Sequence, residues 1–355
     1  MFVLFIEKGM NLLHQEATIS YIVPNKLVAA PYTKILRKKI SEQQVQEMRD
    51  YSSVTVFKSA AVYPVVFRVK ICEDKIPVTM DVMGSMENII NHNVITPEKF
   101  YADINWDKYF NSSAESLEIV EKMSRNATLN TIAEINGAAT VSEAYLVKEF
   151  LKDDEKPTYE YKKFINTGGI DPYKSFFGID DMRYLKGKYL HPVVPTEELK
   201  KMSEKRLKES NEEKIIVGGM NKKLECYYDY GEYLAGKSTT IIYGCEHLKY
   251  ITALMNSRLM SFYYSVVYNS MTLAGGFFRI GAPQLKELPI AIPEDKELIL
   301  QIEKSVDNIQ EILRHIVCTD EDNKRLQTLT KEIDIHIYNI YGLSEAEVAY
   351  VENER

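Results

Sequence analysis

The chain has 355 residues, of which 45% are hydrophobic and 27% are charged, and its net charge is −7 at pH 7. This length predicts two or three domains, and the composition is that of a globular protein rather than a disordered or fibrous one. Because no apolar run reaches the ~20 residues of a transmembrane helix, we expect no membrane partner.

The first residues, MFVLFIEKGMNLL, are apolar but lack a basic lead and a small-residue cleavage site, so we do not expect a signal peptide. The four cysteines (Cys72, Cys226, Cys245 and Cys318) show no CxxC spacing, and the six histidines are scattered. We therefore predict free thiols, a cytoplasmic location and no metal site.

The first 75 residues alternate between helical and β-prone patterns. The predicted elements are a helix at 2–13, a buried strand at 17–23, a basic amphipathic helix at 30–40, and strands at 54–57 and 65–71. In the first helix, Phe5, Met10, Leu12 and Leu13 are expected to supply core contacts. Such alternation is typical of a parallel α/β sheet.

The middle of the chain is rich in short β-prone runs separated by glycine turns. Trp106 and Phe110 are expected to anchor a small cluster. The predicted elements are a strand, glycine loop and second strand over 132–151, a strand and glycine turn at 164–173, a charged helix at 196–210, a strand at 214–219, a hairpin over 221–233 and a strand at 238–243.

Residues 254–293 combine unusual pieces in a fixed order. The first piece is a helix with an apolar face, which comprises Leu254, Leu259, Phe262, Tyr263 and Val266. A break at 274–276 follows it. The predicted continuation is a β-prone FFRI run at 277–280 and an exit strand at 285–290, which prolines terminate.

The last part of the chain predicts two long helices at 296–318 and 321–341. Their apolar stripes comprise Ile302, Val306, Ile309, Leu313 and Ile316 in the first, and Leu326, Leu329, Ile333, Ile337 and Ile340 in the second. An antiparallel helical pair would bury both stripes. Gly342 is expected to end the second helix, and Ser344 to cap a short last one.

The 254–293 arrangement closely resembles the end of the target-recognition domain in adenine-specific DNA methyltransferases of the TaqI type and in single-chain restriction–modification enzymes of the Eco57I type. Both carry a leucine–asparagine–serine helix, a glycine-rich aromatic strand and a leucine–proline–isoleucine exit. The order FIEKGMNLL, ISYIVPNK, LRKK and VFKSAAVYPVVFRVKI similarly resembles the last third of the catalytic domain of that family.

The resemblance implies an α/β (α+β) fold in three parts. These are a truncated, Rossmann-like methyltransferase piece at 1–75, a target-recognition domain at 76–293 and a helical pair at 294–355. It also implies that the complete enzyme takes S-adenosylmethionine as its cofactor and positions adenine with an asparagine–proline–proline–tyrosine tetrapeptide. The nearest substitute here is Ile170-Asp171-Pro172-Tyr173, which lacks the second proline, so we expect a recognition-domain loop, no catalytic residue and an inactive isolated chain.

Double-stranded DNA is the partner that the resemblance implies, and the local charge agrees with it. Residues 156–287 carry 20 Lys and Arg against 15 Asp and Glu, a net charge of +5, whereas residues 291–355 carry 7 against 15, a net charge of −8. Because a local basic surface releases the counterions of DNA, the charge of the segment matters more than the total charge.

Several side chains are candidates for DNA contact. Arg279, beside glycines on a β-prone run, is the first choice for two hydrogen bonds to guanine, with a structural ion pair as the alternative. Lys222, Lys223 and Lys237 fit phosphate contacts or ordinary solvated turns. Lys237 lacks the first glycine of a nucleotide-binding loop. The remaining candidates are Lys286, Lys174, Tyr173, Asn166 and Thr167, and a core role is the alternative for Tyr173.

Three functions remain open. The first is sequence-specific recognition within a restriction–modification enzyme whose catalytic part is a further domain or subunit. The second is a stand-alone specificity subunit whose helical pair docks on methyltransferase or nuclease subunits. The third is a complete enzyme with an unrecognised site, which tight binding of S-adenosylmethionine would reveal.

Overall fold

The computed structural model describes residues 1–58, 62–156, 158, 160–269, 272–273, 276–315 and 317–353. The chain divides into two compact units, Met1–Val120 with Ser265–Thr272 and Glu121–Tyr264 with Leu273–Arg355. The division into three functional parts at residues 75 and 293 stays a prediction.

The first unit is built on one five-stranded sheet. Its elements are α1 (Phe2–Asn11), β1 (Thr18–Pro24), α2 (Lys34–Ser41), β2 (Gln44–Asp50), β3 (Pro64–Lys70), β4 (Val78–Met83), β5 (Ile89–Ile95), α3 (Pro97–Ala102), α4 (Lys108–Asn111) and the start of α5 (Ala114–Met123), with 3₁₀ turns at Asn25–Leu27 and Pro31–Thr33. The strand order is β1-β3-β2-β4-β5.

The predicted parallel sheet is wrong. Only β2 and β4 run parallel, and the other three neighbouring pairs are antiparallel. For β4 and β5 the reason is connection length, since a parallel neighbour requires a crossover of a dozen or more residues, whereas these two strands are joined by a short turn. The strand predicted at 65–71 is confirmed as β3, and no strand forms at 54–57.

The amino-terminal helix and strand are more exposed than predicted. On α1 the buried residue is Ile6, while Phe5 and Leu12 are 64% and 70% exposed. The following strand, β1, lies at an edge of the sheet with an alternating, mostly unburied pattern. The predicted cluster around Trp106 and Phe110 is confirmed, because both are buried and the indole stacks on Phe100 at a centroid distance of 5.0 Å.

The second unit contains the remaining elements. They are β6 (Glu134–Gly137), α6 (Val141–Phe150), β7 (Lys152–Asp153), β8 (Tyr161–Ile165), β9 (Ile170–Asp171), β10 (Lys174–Ser175), β11 (Met182–Tyr184), β12 (Gly187–Tyr189), β13 (Pro192–Pro195), α7 (Thr196–Met202), α8 (Glu204–Asn211), β14 (Lys214–Gly218), β15 (Met220–Asn221), β16 (Cys226–Asp229), β17 (Tyr233–Ala235), β18 (Thr239–Tyr243), α9 (Leu248–Asn256), α10 (Arg258–Val267), β19 (Thr272–Leu273), β20 (Phe277–Arg279), α11 (Ala282–Leu285), α12 (Lys296–Leu313), α13 (Asp320–Ile340) and α14 (Glu345–Asn353). Helix α10 and strand β19 each cross the boundary between the units in sequence.

Two four-stranded sheets form the frame of this unit. One has the order β16-β14-β18-β6 and is antiparallel, and the other has the order β17-β8-β13-β7. Strands β14 and β18, both predicted from sequence, are buried along their whole length. In the antiparallel sheet of this unit, the Lys214 ammonium lies 2.5 Å from the Asp229 carboxylate, and both side chains are 1% exposed. This ion pair fixes the start of β14 against the end of β16.

Three predictions for this unit are wrong for local reasons. The second strand expected within 132–151 is the helix α6, which a capping box between Thr140 and Glu143 initiates. The charged helix at 196–210 is two helices, because the Ser203 side chain accepts a hydrogen bond from the Arg206 backbone N–H and starts α8. The hairpin at 221–233 does not form, since β15 pairs with β20 and β16 pairs with β14.

The exit strand predicted at 285–290 is also wrong. The segment forms the short helix α11, and a single bridge then joins Pro289 to Thr128. The break expected at 274–276 falls largely on residues outside the described part of the chain, whereas Gly276 has a positive φ of 79°.

The carboxyl-terminal helices agree with the sequence. The predicted stripes are buried at Ile302, Val306, Ile309, Ile333 and Ile337, where α12 packs on α9 and α13. They are only half-buried at Leu313, Leu326, Leu329 and Ile340, and Ile316 lies outside the described residues. Gly342 has a φ of +66° after α13, and the Ser344 hydroxyl accepts a hydrogen bond from the Glu347 N–H at the start of α14.

The four cysteines are free thiols. No helix in the described ranges is long and apolar enough to span a bilayer.

Candidate nucleic-acid interface

A three-stranded ribbon, with the order β15-β20-β19, carries the leading candidate for base contact. Strands β15 and β20 pair antiparallel, with Met220 opposite Arg279 and Asn221 opposite Phe278. Because side chains alternate along a strand, Arg279 and Phe277 share one face, which is exposed, while Phe278 points to the other face and is 8% exposed. The ribbon therefore presents an arginine on an outward surface.

The underside of the ribbon is anchored. The Tyr264 ring packs edge-on against Phe278 at a centroid distance of 5.5 Å, and its hydroxyl donates a hydrogen bond to the Arg279 backbone carbonyl at 3.2 Å. Burial raises the pKa of Tyr264, so the hydroxyl stays a donor at any physiological pH. In the described ranges, no carboxylate lies within ion-pair distance of the Arg279 guanidinium, which leaves its donors available.

Gly219 connects this ribbon to two neighbouring loops, one with Asn166 and Thr167 and the other with Ser238. Its carbonyl accepts a hydrogen bond from the Ile280 N–H at 3.0 Å, and its N–H donates to the Thr167 hydroxyl at 3.1 Å. That hydroxyl in turn donates to the Ser238 carbonyl, and the Ser238 N–H donates to the Asn166 side-chain oxygen at 3.1 Å. A Cβ on Gly219 would lie 2.2 Å from the Ser238 carbonyl oxygen, so only glycine fits at this position.

Three candidate lysines are close in sequence to these loops. Lys222 and Lys223 follow β15, Lys237 lies in the turn before Ser238, and all three are exposed. The Lys222 ammonium lies 5.7 Å from the centroid of the Phe277 ring, which suits a phosphate contact beside Arg279. The Lys223 side chain lines a cleft that also contains Tyr173 and Asp334.

One acidic group modulates the charge of this turn. Burial, reinforced by the nearby Asp171 carboxylate, raises the pKa of Glu225 to about 7, while Lys223 opposes the shift. Near neutral pH this carboxyl is therefore partly protonated, and the turn is more positive than its sequence indicates.

The predicted contact residues form one connected group and three outliers. Asn166, Thr167, Lys222, Lys223, Lys237 and Arg279 belong to loops that are linked through Gly219. Within that group, the side chains of Asn166 and Thr167 hold the loops together. Their direct contact with DNA stays a prediction.

The outliers are Lys286, Tyr173 and Lys174. Lys286 is exposed after α11, where its carbonyl accepts a hydrogen bond from the Asn130 N–H. The Tyr173 ring is 5% exposed and its hydroxyl donates to the Ala253 carbonyl, so the interpretation as a core residue is favoured. Lys174 lines a separate cleft.

Sequence reasoning missed two apolar residues of the same face. Met220 is 50% exposed and Phe277 is 39% exposed, and both flank Arg279 on the ribbon. The alternation in Phe277-Phe278-Arg279 was visible in the sequence. The partner strand was not, because two residues distant in the chain carry no periodicity of their own.

The tetrapeptide Ile170-Asp171-Pro172-Tyr173 does not have the geometry of an adenine-positioning site. Its tyrosine is buried and held at a positive φ of 62°, so the ring is not open to a target base. In the described part of the chain, no group of three or more His, Cys, Asp or Glu side chains is placed to hold a metal ion.

Two family models match parts of the chain. The TaqI-like C-terminal specificity domain matches residues 90–290, and the Eco57I restriction–modification methylase matches residues 1–57. The chain belongs to the family of TaqI-like C-terminal specificity domains. It is thus a target-recognition domain of restriction–modification methyltransferases, joined to a short methylase segment. No curated protein matches the chain.

The solved structure of a restriction–modification enzyme shares this fold at low identity. The type IIL restriction–modification enzyme MmeI, in complex with DNA, is 10% identical with a TM-score of 0.53, and the match covers 99% of this chain and 51% of that one. The type IIG endonuclease BpuSI is 11% identical with a TM-score of 0.37, over 96% of this chain and 49% of that one. The chain spans about half the length of these enzymes.

Proposed function

We propose that this chain selects the DNA sequence on which an adenine-specific restriction–modification methyltransferase acts. The observation that carries the proposal is the Arg279 guanidinium, which is exposed on a ribbon whose underside Tyr264 holds in place. A rigid strand carrying an unpaired arginine can direct two hydrogen bonds to guanine O6 and N7 in the major groove. Family membership and the positive net charge of residues 156–287 support the same function.

Phosphate contacts would come from the lysines of the adjoining turns. Lys222, Lys223 and Lys237 are exposed on these turns, where they would fix the register of the ribbon on the duplex. The target adenine must leave the base stack for methylation, so the recognition domain would hold the duplex while another part of the enzyme acts. S-adenosylmethionine would bind to that other part of the enzyme.

The surface of α1 supports a contact with that catalytic part. Met1, Leu4, Phe5 and Leu12 are 94%, 68%, 64% and 70% exposed, and their spacing places them along one side of the helix. An exposed apolar stripe of this size is typical of a protein interface. We propose that the remainder of a methyltransferase domain covers it, as a further segment of the same enzyme or as a separate subunit.

Selection from a random duplex pool at two salt concentrations tests the proposed recognition. A sequence-specific reader enriches one motif at both concentrations, although its affinity falls as salt rises. A protein that contacts phosphates alone enriches no motif. Failure to bind any duplex at low salt would refute the proposal.

Co-purification tests the interface separately. The wild-type chain is expected to capture a catalytic methyltransferase chain where the two are separate subunits, and Phe5→Asp should abolish capture without changing duplex selection. Ile90→Asp is the control, since Ile90 is 59% exposed on β5, at the opposite edge of the five-stranded sheet from β1. Equal loss of capture in both variants would contradict a specific role of the α1 stripe.

A further inference from the structure

A cleft in the second unit lies apart from the ribbon. It has a volume of about 280 Å³, and its walls come from β8, β10, β16, β17 and the carboxyl-terminal end of α12. This volume is close to the lower end of the ~300–1,000 Å³ typical of small-molecule sites. The residues that carry the argument are Lys163, Lys174, Arg314, Phe177, Tyr233 and Gln310.

The cleft has an excess of positive charge. Its lining contains three cations, Lys163, Lys174 and Arg314, and one carboxylate, that of Glu232. The Glu232 carboxylate lies 2.6 Å from the Lys163 ammonium. Lys174 and Arg314 have no carboxylate within ion-pair distance in the described ranges, and each lies over an aromatic ring instead. Two cations without a counter-charge at one concave surface favour an anion, and arginine suits phosphate oxygens in particular.

Aromatic rings form another wall. Phe177 and Tyr233 meet edge to face with centroids 6.1 Å apart, and the Tyr233 hydroxyl accepts a hydrogen bond from Ser175 at 3.1 Å. The Lys163 ammonium lies 5.4 Å from the Phe177 centroid and 5.5 Å from the Tyr233 centroid. Phe177 is only half-buried, so a planar ligand can pack against it.

Gln310 contributes a buried amide to the wall of the cleft. Its amide nitrogen donates to the Tyr228 carbonyl at 3.0 Å, which fixes the orientation of the side chain. The residue is 3% exposed, and its amide oxygen accepts no hydrogen bond in the described part of the chain. The hydrogen bond to Tyr228 therefore fixes this wall of the cleft, while the amide oxygen itself is enclosed and not open to a ligand.

We propose that this cleft binds a nucleoside phosphate. The phosphate would meet Lys174 and Arg314, and the planar base would pack on Phe177. The ligand is either a free mononucleotide or a nucleotide of a DNA strand, since both present the same groups. The inference does not depend on the base-reading role of Arg279.

Calorimetry on the full chain with deoxyadenosine monophosphate tests the site. This nucleotide should bind at least about tenfold more tightly than inorganic phosphate or deoxyadenosine. Lys174→Gln and Arg314→Gln should each weaken binding about tenfold. Lys200→Gln is the matched control, because Lys200 is exposed on α7 outside the cleft. Thermal melts followed by circular dichroism establish that each variant is folded.

Competition separates the two sources of the ligand. Displacement of the mononucleotide by single-stranded oligonucleotide, but not by duplex, assigns the site to a strand, whereas no displacement assigns it to the free nucleotide. Absence of nucleotide binding at about 10 mM, or equal binding by folded Lys174→Gln and Arg314→Gln variants, overturns the inference. Duplex selection through Arg279 would survive that result, so the two proposals fail independently.

Discussion

Met220 and Arg279 lie opposite each other across an antiparallel pair, and both point away from the interior of the second unit. Directly opposed side chains of a strand pair are neighbours, so the apolar methionine stem limits the directions that the arginine can take. The Tyr264 hydrogen bond to the Arg279 carbonyl fixes the strand itself. Together these contacts present the guanidinium from a defined backbone position.

Replacement of Arg279 by alanine should relax one position of the recognised motif. A bidentate arginine–guanine contact contributes about 1–3 kcal/mol of discrimination, so preference at that position should fall by about tenfold or more while the rest of the motif persists. Sequencing of duplexes selected by the variant measures this change. Arg183→Ala is the control, since Arg183 is an exposed arginine on the three-residue strand β11. An unaltered motif would remove Arg279 as a base contact.

Replacement of Lys222 or Lys237 by glutamine should reduce the affinity of the chain for all duplexes to the same extent. Loss of one phosphate contact reduces the slope of log affinity against log salt by about 0.9 and leaves sequence preference intact. Fluorescence anisotropy at several salt concentrations gives the slope, and Lys200→Gln provides the reference for loss of a lysine elsewhere. A change in the selected motif would instead mean that these lysines read bases.

Gly219→Ala should disturb the junction of the loops. The added methyl group would lie 2.2 Å from the Ser238 carbonyl oxygen, a clash with backbone that costs about 1–3 kcal/mol of stability. Gly168→Ala is the matched control, because a Cβ there meets nothing within 4 Å and should change stability by less than about 0.5 kcal/mol. Urea denaturation compares the two variants, and equal stability would show that the junction adapts.

The parts of the fold that the sequence predicts are those with a long or continuous apolar pattern. Helices α12 and α13 and strands β14 and β18 agree closely with the predicted elements. Each either spans several helical turns or lies buried along its length, so the pattern is strong. The direction of the first sheet was mispredicted because alternation of helices and strands does not specify which strands become neighbours.

The candidate site was predictable residue by residue but not as a surface. Arg279 stood out through its glycine-flanked aromatic run, whereas its pairing with Met220 depends on tertiary structure. Asn166 and Thr167 were selected as polar loop residues, and the structure shows that their oxygens hold neighbouring loops. Polar side chains that bind loops and those that bind ligands are the same residue types, so sequence does not separate them.

Lys214→Met should strongly destabilise the second unit. It leaves the Asp229 carboxylate buried at 1% exposure without its cation, which costs about 3–5 kcal/mol. The double variant Lys214→Met/Asp229→Leu should recover much of this loss, since no unpaired charge remains. Lys201→Met breaks an exposed pair with Glu198 and should cost less than about 1 kcal/mol. Urea denaturation distinguishes these cases, and a small effect of Lys214→Met alone would show that Asp229 is protonated.

DNA affinity should fall as pH rises from 6 to 8 because of Glu225. Burial and the Asp171 carboxylate raise the pKa of Glu225 to about 7, so the group is neutral at the lower pH and adds a negative charge near Lys223 at the higher one. The same sign applies to folding, since a pKa above the ordinary value of 4.5 stabilises the folded state at low pH and loses that contribution as pH passes through 7.

Anisotropy titrations with one duplex should therefore show a decrease of about two- to threefold in affinity across this pH range at low salt. Glu225→Gln should bind with nearly the same affinity at both pH values. Asp171→Asn removes a charge that raises the pKa of Glu225, so it should move the midpoint to lower pH rather than abolish the transition. A wild-type profile that is flat, or a Glu225→Gln profile that still falls, would assign the titration to another group.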